Sequence, residues 1–154
     1  MKARTVLASL AVFLTGVALS LAADANLGTW KLNETKSKIP AGATKNNTVV
    51  YAAAGDSVKI TVDSVTGDGK ATHGEWTGKY DGKDYPVTGE ASHDSRWYKK
   101  VDDHTLEFGA KKDGKSIGTG KVVVAADGKS RTVTSTINDA GGKPQTTVAV
   151  YDKQ

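Results

Sequence analysis

The chain of 154 residues contains no cysteine. That absence rules out disulfide bridges, thiol nucleophiles and thiolate metal sites, so a folded domain must rest on its hydrophobic packing. Proline occurs only three times, and aromatic residues make up 6% of the chain, so the position of each one carries weight. Past residue 25 there is no long hydrophobic run and no helical periodicity, which removes membrane-spanning helices and crossover helices from the body of the protein. Charge of either sign is modest. Residues 1–25 hold two of the 21 basic and one of the 17 acidic residues, which leaves the remainder at +3. A charge of that size keeps a small protein soluble without implying a nucleic acid or a membrane surface as partner.

What the chain does have begins with an export signal. Lys2 and Arg4 precede an uncharged stretch from Thr5 to Ala23 that is rich in Leu, Val and Ala. Ser20-Leu21-Ala22 and Ala23-Asp24-Ala25 each put small residues at the −3 and −1 positions, which places cleavage after Ala22 or Ala25. Thr, Ser and Gly dilute the stretch, so it reads as a cleaved signal peptide rather than an anchor. Residues 1–25 are therefore assigned to a signal peptide and 26–154 to one domain, secreted or periplasmic, in the style of a bacterial cell envelope. The missing cysteine excludes a lipoprotein.

A repeated turn organises that domain. Asp68-Gly69-Lys70, Asp81-Gly82-Lys83, Asp113-Gly114-Lys115 and Asp127-Gly128-Lys129 share one tripeptide, and Gly141-Gly142-Lys143 is close to it. Asp-Gly supplies the positive φ angles of a two-residue type I′ turn, whose twist matches that of paired strands. Between the turns the residues alternate: Val58, Ile60 and Val62 share one face while Lys59, Thr61 and Asp63 share the other. This pattern predicts ten strands, at 27–33, 47–54, 57–66, 71–80, 83–89, 95–101, 104–112, 115–125, 129–138 and 143–152. The polar stretch 34–47 reads as a loop. The fold class is all-β, an antiparallel up-and-down meander of eight to ten strands that loses its exposed edges by closing into a barrel. Pro86 cannot donate to a ladder, so its strand should border a gap or bulge.

The ends of the domain carry a family resemblance. Gly28-Thr29-Trp30-Lys31-Leu32 resembles the Gly-x-Trp first strand of the calycins, the lipocalins and above all the fatty-acid-binding proteins. Val148-Ala149-Val150-Tyr151-Asp152-Lys153 resembles the closing strand of fatty-acid-binding proteins, and the chain as a whole is similar to small secreted lipocalin-like proteins of bacteria. The resemblance implies a lipocalin-like barrel, with Trp30 as a structural plug at its closed end beside a basic side chain from a late strand. It departs at Ala149, where the fatty-acid-binding pattern has an arginine, so only Tyr151 of that family's carboxylate clamp is matched. The loop at 34–47 also replaces the family's helical lid. A lidless ten-stranded barrel opening on Gly-Thr-Trp is similar to nitrobindin, a haem-binding relative.

Few residues are candidates for chemistry. Arg131 shares a face with Val133 and Ile137 and can stack on Trp30, bind a ligand carboxylate, or point into water. Trp76, Tyr80, Trp97 and Phe108 are the aromatic candidates for an interior ligand site, with Arg131 and Tyr151 beside them. Ordinary core packing is the alternative for each. His73 and Glu75 share the face opposite Trp76, and nothing in the spacing of His73, His93 and His104 makes three metal ligands converge, so no metal is assigned. No nucleophile elbow, paired carboxylates or phosphate loop is present, and the lysines fit solubility and edge protection better than nucleic acid. The sequence therefore predicts a non-enzymatic monomer without cofactor that binds a small apolar or amphipathic molecule inside its barrel. Two alternatives stay open: a packed structural or interaction protein of the envelope, and a haem-binding barrel using His93 or His104.

Overall fold

Each strand forms where β-branched residues alternate with polar ones between glycine-bearing turns. The computed structural model describes residues 24–139 and 141–154. The expected signal peptide lies outside the described residues, apart from Asp24 and Ala25. Ten strands follow one another: β1 (Gly28–Leu32), β2 (Lys45–Ala54), β3 (Ser57–Val65), β4 (Ala71–Gly78), β5 (Tyr85–Thr88), β6 (Ser95–Lys100), β7 (Thr105–Lys112), β8 (Lys115–Val124), β9 (Ser130–Asn138) and β10 (Pro144–Lys153). Every strand pairs antiparallel with the next, and β1 pairs with β10, so the meander closes into a barrel. The closing register sets Trp30 opposite Lys153 and Leu32 opposite Tyr151, joining the two segments that carry the family resemblance.

The turns differ from expectation in detail. Among the described residues only Asp113-Gly114 is a two-residue turn with both φ angles positive, at 50° and 74°. The connections at 66–70, 125–129 and 139–143 are longer, and in them Gly69, Gly128 and Gly142 are left-handed. The cause is a side chain that closes the turn, Thr66 Oγ1 accepting from Lys70 N at 3.2 Å in the first connection and an aspartate in the other two. Asp127 Oδ1 accepts from Lys129 N at 2.9 Å and Asp81 Oδ1 from Lys83 N at 3.0 Å, so the carboxylate closes the turn in place of a second left-handed residue.

The stretch expected as a plain loop is tied to the sheet instead. Residues Glu34–Lys36 form a 3₁₀ turn capped by Asn33, and Lys38 exchanges backbone hydrogen bonds with Val148 at 2.7 and 3.0 Å. Ser37 Oγ accepts from Val150 N at 2.9 Å, and β2 starts at Lys45 through an irregularity between Asn46 and Thr48. Short polar side chains bonded to backbone anchor what composition alone reads as solvated. At β5 the ladders on both sides shrink to two residue pairs each, as Pro86 implies.

The inward positions make one core that includes Trp30, Ile60, Trp76, Tyr98, Leu106 and Phe108. One end of the barrel is sealed by Trp30, wholly buried, with Asn26 at 1% exposure beside it. Trp30 Nε1 donates to the Asn26 carbonyl at 2.8 Å. The other end is the mouth, rimmed by the connections at 37–44, 66–70, 89–94 and 139–143, and a Cβ at Gly67 would collide with the Gly42 carbonyl where two of these connections touch.

Candidate functional site

Alternation along β9 turns Arg131 inward, one position after the Lys129-Ser130 end of its turn. Its guanidinium is 2% exposed and lies against three rings, with Cζ 4.7 Å from the centroid of Trp30, 4.6 Å from Tyr51 and 5.0 Å from Tyr151. Such contacts contribute about 0.5–2 kcal/mol each when desolvated. They are the main compensation for this buried charge. Nε and Nη1 of Arg131 have no hydrogen-bond partner, and no ion pair reaches it among the described residues. Burial raises the hydroxyls of Tyr51 and Tyr151, the latter to about 12, so neither ring supplies an anion at neutral pH. Of the three roles open to Arg131 in the sequence, stacking on the Trp30 plug is the one its geometry fits.

Above this layer the barrel is packed. Trp76 donates from Nε1 to the Arg96 carbonyl at 3.0 Å and meets Tyr98 edge-on at 4.8 Å between centroids; Tyr98 in turn lies 5.7 Å from Phe108. Trp76 and Phe108 are thus core residues of the middle layer, and neither lines the cup at the mouth. Tyr80 follows β4 and packs beside Tyr98 at the sealed end, with centroids 6.1 Å apart. Small residues face the large rings: a Cβ at Gly120 would strike Phe108, and one at Gly78 would strike Tyr85 and Trp76.

Trp97 occupies a different place from the interior expected for it. Arg96 and Tyr98 point inward, so Trp97 stands on the outer face, opposite Gly109, whose missing side chain leaves room for the indole. The pairing register continues this row through Thr119 and Thr136. A shallow trough of about 650 Å³ runs there, bordered by Trp97, Lys121, Val123, Thr132 and Thr134. The sequence SRWYKK offers an aromatic residue to each face, and alternation alone does not say which is inside.

Toward the mouth the interior opens into a cup of about 380 Å³. Ile39, Val133, Ile137 and Ala149 give it an apolar wall, and Arg96 and Tyr151 reach it from below. Tyr151 is the only residue of the sequence-derived ligand set that lines the cup; Arg131 lies behind it. Arg96 sits over the Phe108 ring at 5.3 Å and donates from Nη1 to Tyr98 Oη at 3.4 Å, while its buried Nε has no acceptor. Glu90 enters from the connection before β6, with its carboxylate over Gly74, where a Cβ would come within 2.6 Å of Oε1. Burial raises its carboxyl above the ordinary carboxylate value, against the opposing pull of Arg96 and His73. His93 is 7% exposed, its Nδ1 2.9 Å from Ser92 Oγ, and burial together with the Arg96 charge lowers it to about 3.

Arg96, Glu90 and Ile39 were not among the ligand residues expected from the sequence, and His93 entered there only as a possible haem ligand. Three of them lie in or beside connections whose path only the closed barrel fixes. The fourth, Arg96, is legible in principle, since it alternates in phase with Tyr98. His73 lies on the outer face, bonded to Asp63 at 2.6 Å, and His104 is exposed. Among the described residues no three His, Asp or Glu side chains are placed to hold a metal ion, and no helix is long and apolar enough to cross a membrane.

No protein-family model matches the chain, and no curated protein matches it. Among solved structures it is similar to a redesigned β-barrel, mFAP1, bound to DFHBI, at 14% identity over 86% of this chain and 98% of that one, with a TM-score of 0.49. It is also similar to EF1p2_mFAP2b bound to DFHBI, at 12% identity over 86% of this chain and 97% of that one, with a TM-score of 0.48.

Proposed function

We propose that the protein binds a small amphipathic molecule in the mouth of its barrel, as a carrier or sensor rather than as an enzyme. One observation carries this reading. The sealed half of the barrel is packed, whereas the open half keeps a cup of about 380 Å³ with an apolar wall and, at its base, the half-buried Arg96, whose Nε is buried without an acceptor. A barrel built only as a scaffold gains nothing from this arrangement, because an unfilled apolar wall forfeits packing and an unpartnered buried polar group costs about 1–3 kcal/mol. The size lies at the lower end of small-molecule sites. The lipocalin-like resemblance of the first and last strands fits the same reading, as does export to the cell envelope, where a cysteine-free barrel is stable without redox chemistry.

The test uses the exported protein from its own host. Native mass spectrometry is expected to show a non-covalent adduct of a few hundred daltons that is lost on unfolding. The Thr147→Trp variant, which places an indole in the cup, is expected to fold and to carry no adduct. Protein that is ligand-free from its host, and that takes up no neutral naphthylamine probe in either form, would sink the proposal and leave the packed structural protein as the reading.

A further inference from the structure

The cup contains two ionisable groups that satisfy each other poorly. Arg96 on β6 has a buried Nε without an acceptor, and the Glu90 carboxylate makes no ion pair or hydrogen bond among the described residues, although both line the same space. The remaining polar groups do not neutralise Arg96. His93 on the same connection is uncharged, and Tyr98 and Tyr151 present hydroxyls. Asp139 at the rim is occupied by its own turn, accepting from Gly141 N and Lys143 N at 2.9 Å and from Gln145 Nε2 at 3.3 Å. A guanidinium has five donors and stays protonated, so a half-buried one whose Nε lacks an acceptor and which no carboxylate pairs is a place for an anion.

Resting on the function proposed above, we infer that the cup selects ligands with a single anionic head group, which seats on the Arg96 guanidinium while the apolar part lies along Val133, Ile137 and Ile39. Glu90 is then the internal rival of that head group. It stands over Gly74 on β4, close enough to oppose a second anion but not paired to Arg96, and it is half-buried at the entrance. The seating group is on β6, while the closing strand β10 gives the cup Ala149 and Tyr151 but no cation. Arg131 plays no part in it, because Trp30, Tyr51 and Tyr151 already surround that side chain.

A matched pair of fluorescent probes decides the matter: 8-anilinonaphthalene-1-sulfonate, which carries a sulfonate, and N-phenyl-1-naphthylamine, the same skeleton without it. The native protein is expected to bind the sulfonate at least about tenfold more tightly than the neutral probe, which is the scale of one charge-assisted hydrogen bond. Arg96→Met should lower the ratio of sulfonate to neutral-probe affinity at least about tenfold, and Arg96→Lys should restore part of it. Glu90→Gln, which removes the rival charge at nearly constant shape, should raise the ratio of sulfonate to neutral-probe affinity. A preference that survives Arg96→Met in folded protein overturns the inference, and so does a sulfonate weakened by Glu90→Gln. If the neutral probe alone binds, the ligand cup stands and the anion site falls. If neither binds, the interior-binding function itself fails.

Discussion

His93 is neutral in the folded chain at any pH above about 3, because burial and the nearby Arg96 charge both oppose its protonation. In the unfolded chain it titrates near its ordinary value of 6.5. Between those values the unfolded chain binds a proton that the folded chain does not, so the stability this residue contributes is lost as pH falls from 6.5 towards 3. At pH 4.5 the loss is about 2–3 kcal/mol. Glu90 acts with the opposite sign, since its raised carboxyl holds a proton more tightly when folded. Comparison with His93→Gln separates the two: its unfolding free energy is expected to fall less on acidification than that of the native chain, by the amount just given. Identical pH slopes in urea melts of the two proteins would mean that His93 is charged or solvated in the fold. At this scale the sequence was partly legible. The contact of Trp30 with Arg131 was one of three readings open for Arg131, because its face is shared with Val133 and Ile137 but it stands next to a turn. The side taken by Trp97 was not legible, because Tyr98 beside it offers the opposite face an equal claim, and only the pairing of Tyr98 with Phe108 resolves it.

The strands differ in how well they are held. β8 pairs along most of its length with both β7 and β9, whereas β5 has two residue pairs on each side and a proline at its second position. One of its few further backbone hydrogen bonds runs from Val87 N to the Asp94 carbonyl at 2.9 Å. Local opening follows such differences, since few bonds break and little apolar surface is exposed when a short strand leaves. Native-state hydrogen exchange is therefore expected to show the Val87 and Thr88 amides exchanging at least about a hundredfold faster than those of Val122 and Val123. Equal protection along β5 and β8 would show that the barrel opens only as a whole. Pro86 announced this seam in the sequence, and the spacing of the Asp-Gly turns announced the number of strands. The 34–47 segment stayed illegible for a physical reason: its Asn33 and Ser37 bonds run to β10, more than a hundred residues away in the chain, and no local pattern encodes them.

As a whole the molecule is a barrel sealed at one end by its own N-terminal segment and open at the other, so the processing of the chain and the integrity of the sealed end are one question. Asp24 accepts hydrogen bonds at Oδ1 from the Asn26 backbone N at 2.9 Å and from Asn26 Nδ2 at 3.1 Å, and its carbonyl accepts from Leu27 N at 3.1 Å. These bonds hold Asn26 where its carbonyl receives the Trp30 indole. Of the two cleavage points the sequence allows, the one after Ala25 would delete Asp24 and make Asn26, at 1% exposure, the carrier of a new ammonium charge. Burying that charge costs several kcal/mol, or the cap must leave the barrel and expose Trp30. Cleavage after Ala22 keeps every one of these contacts. If the chain is exported as proposed, intact mass and N-terminal sequencing of the mature protein should therefore read Ala23-Asp24-Ala25-Asn26 at its start. A chain beginning at Asn26 with an unaltered melting temperature would show that the cap contributes nothing to the seal, and an unprocessed chain in the envelope would refute the signal peptide.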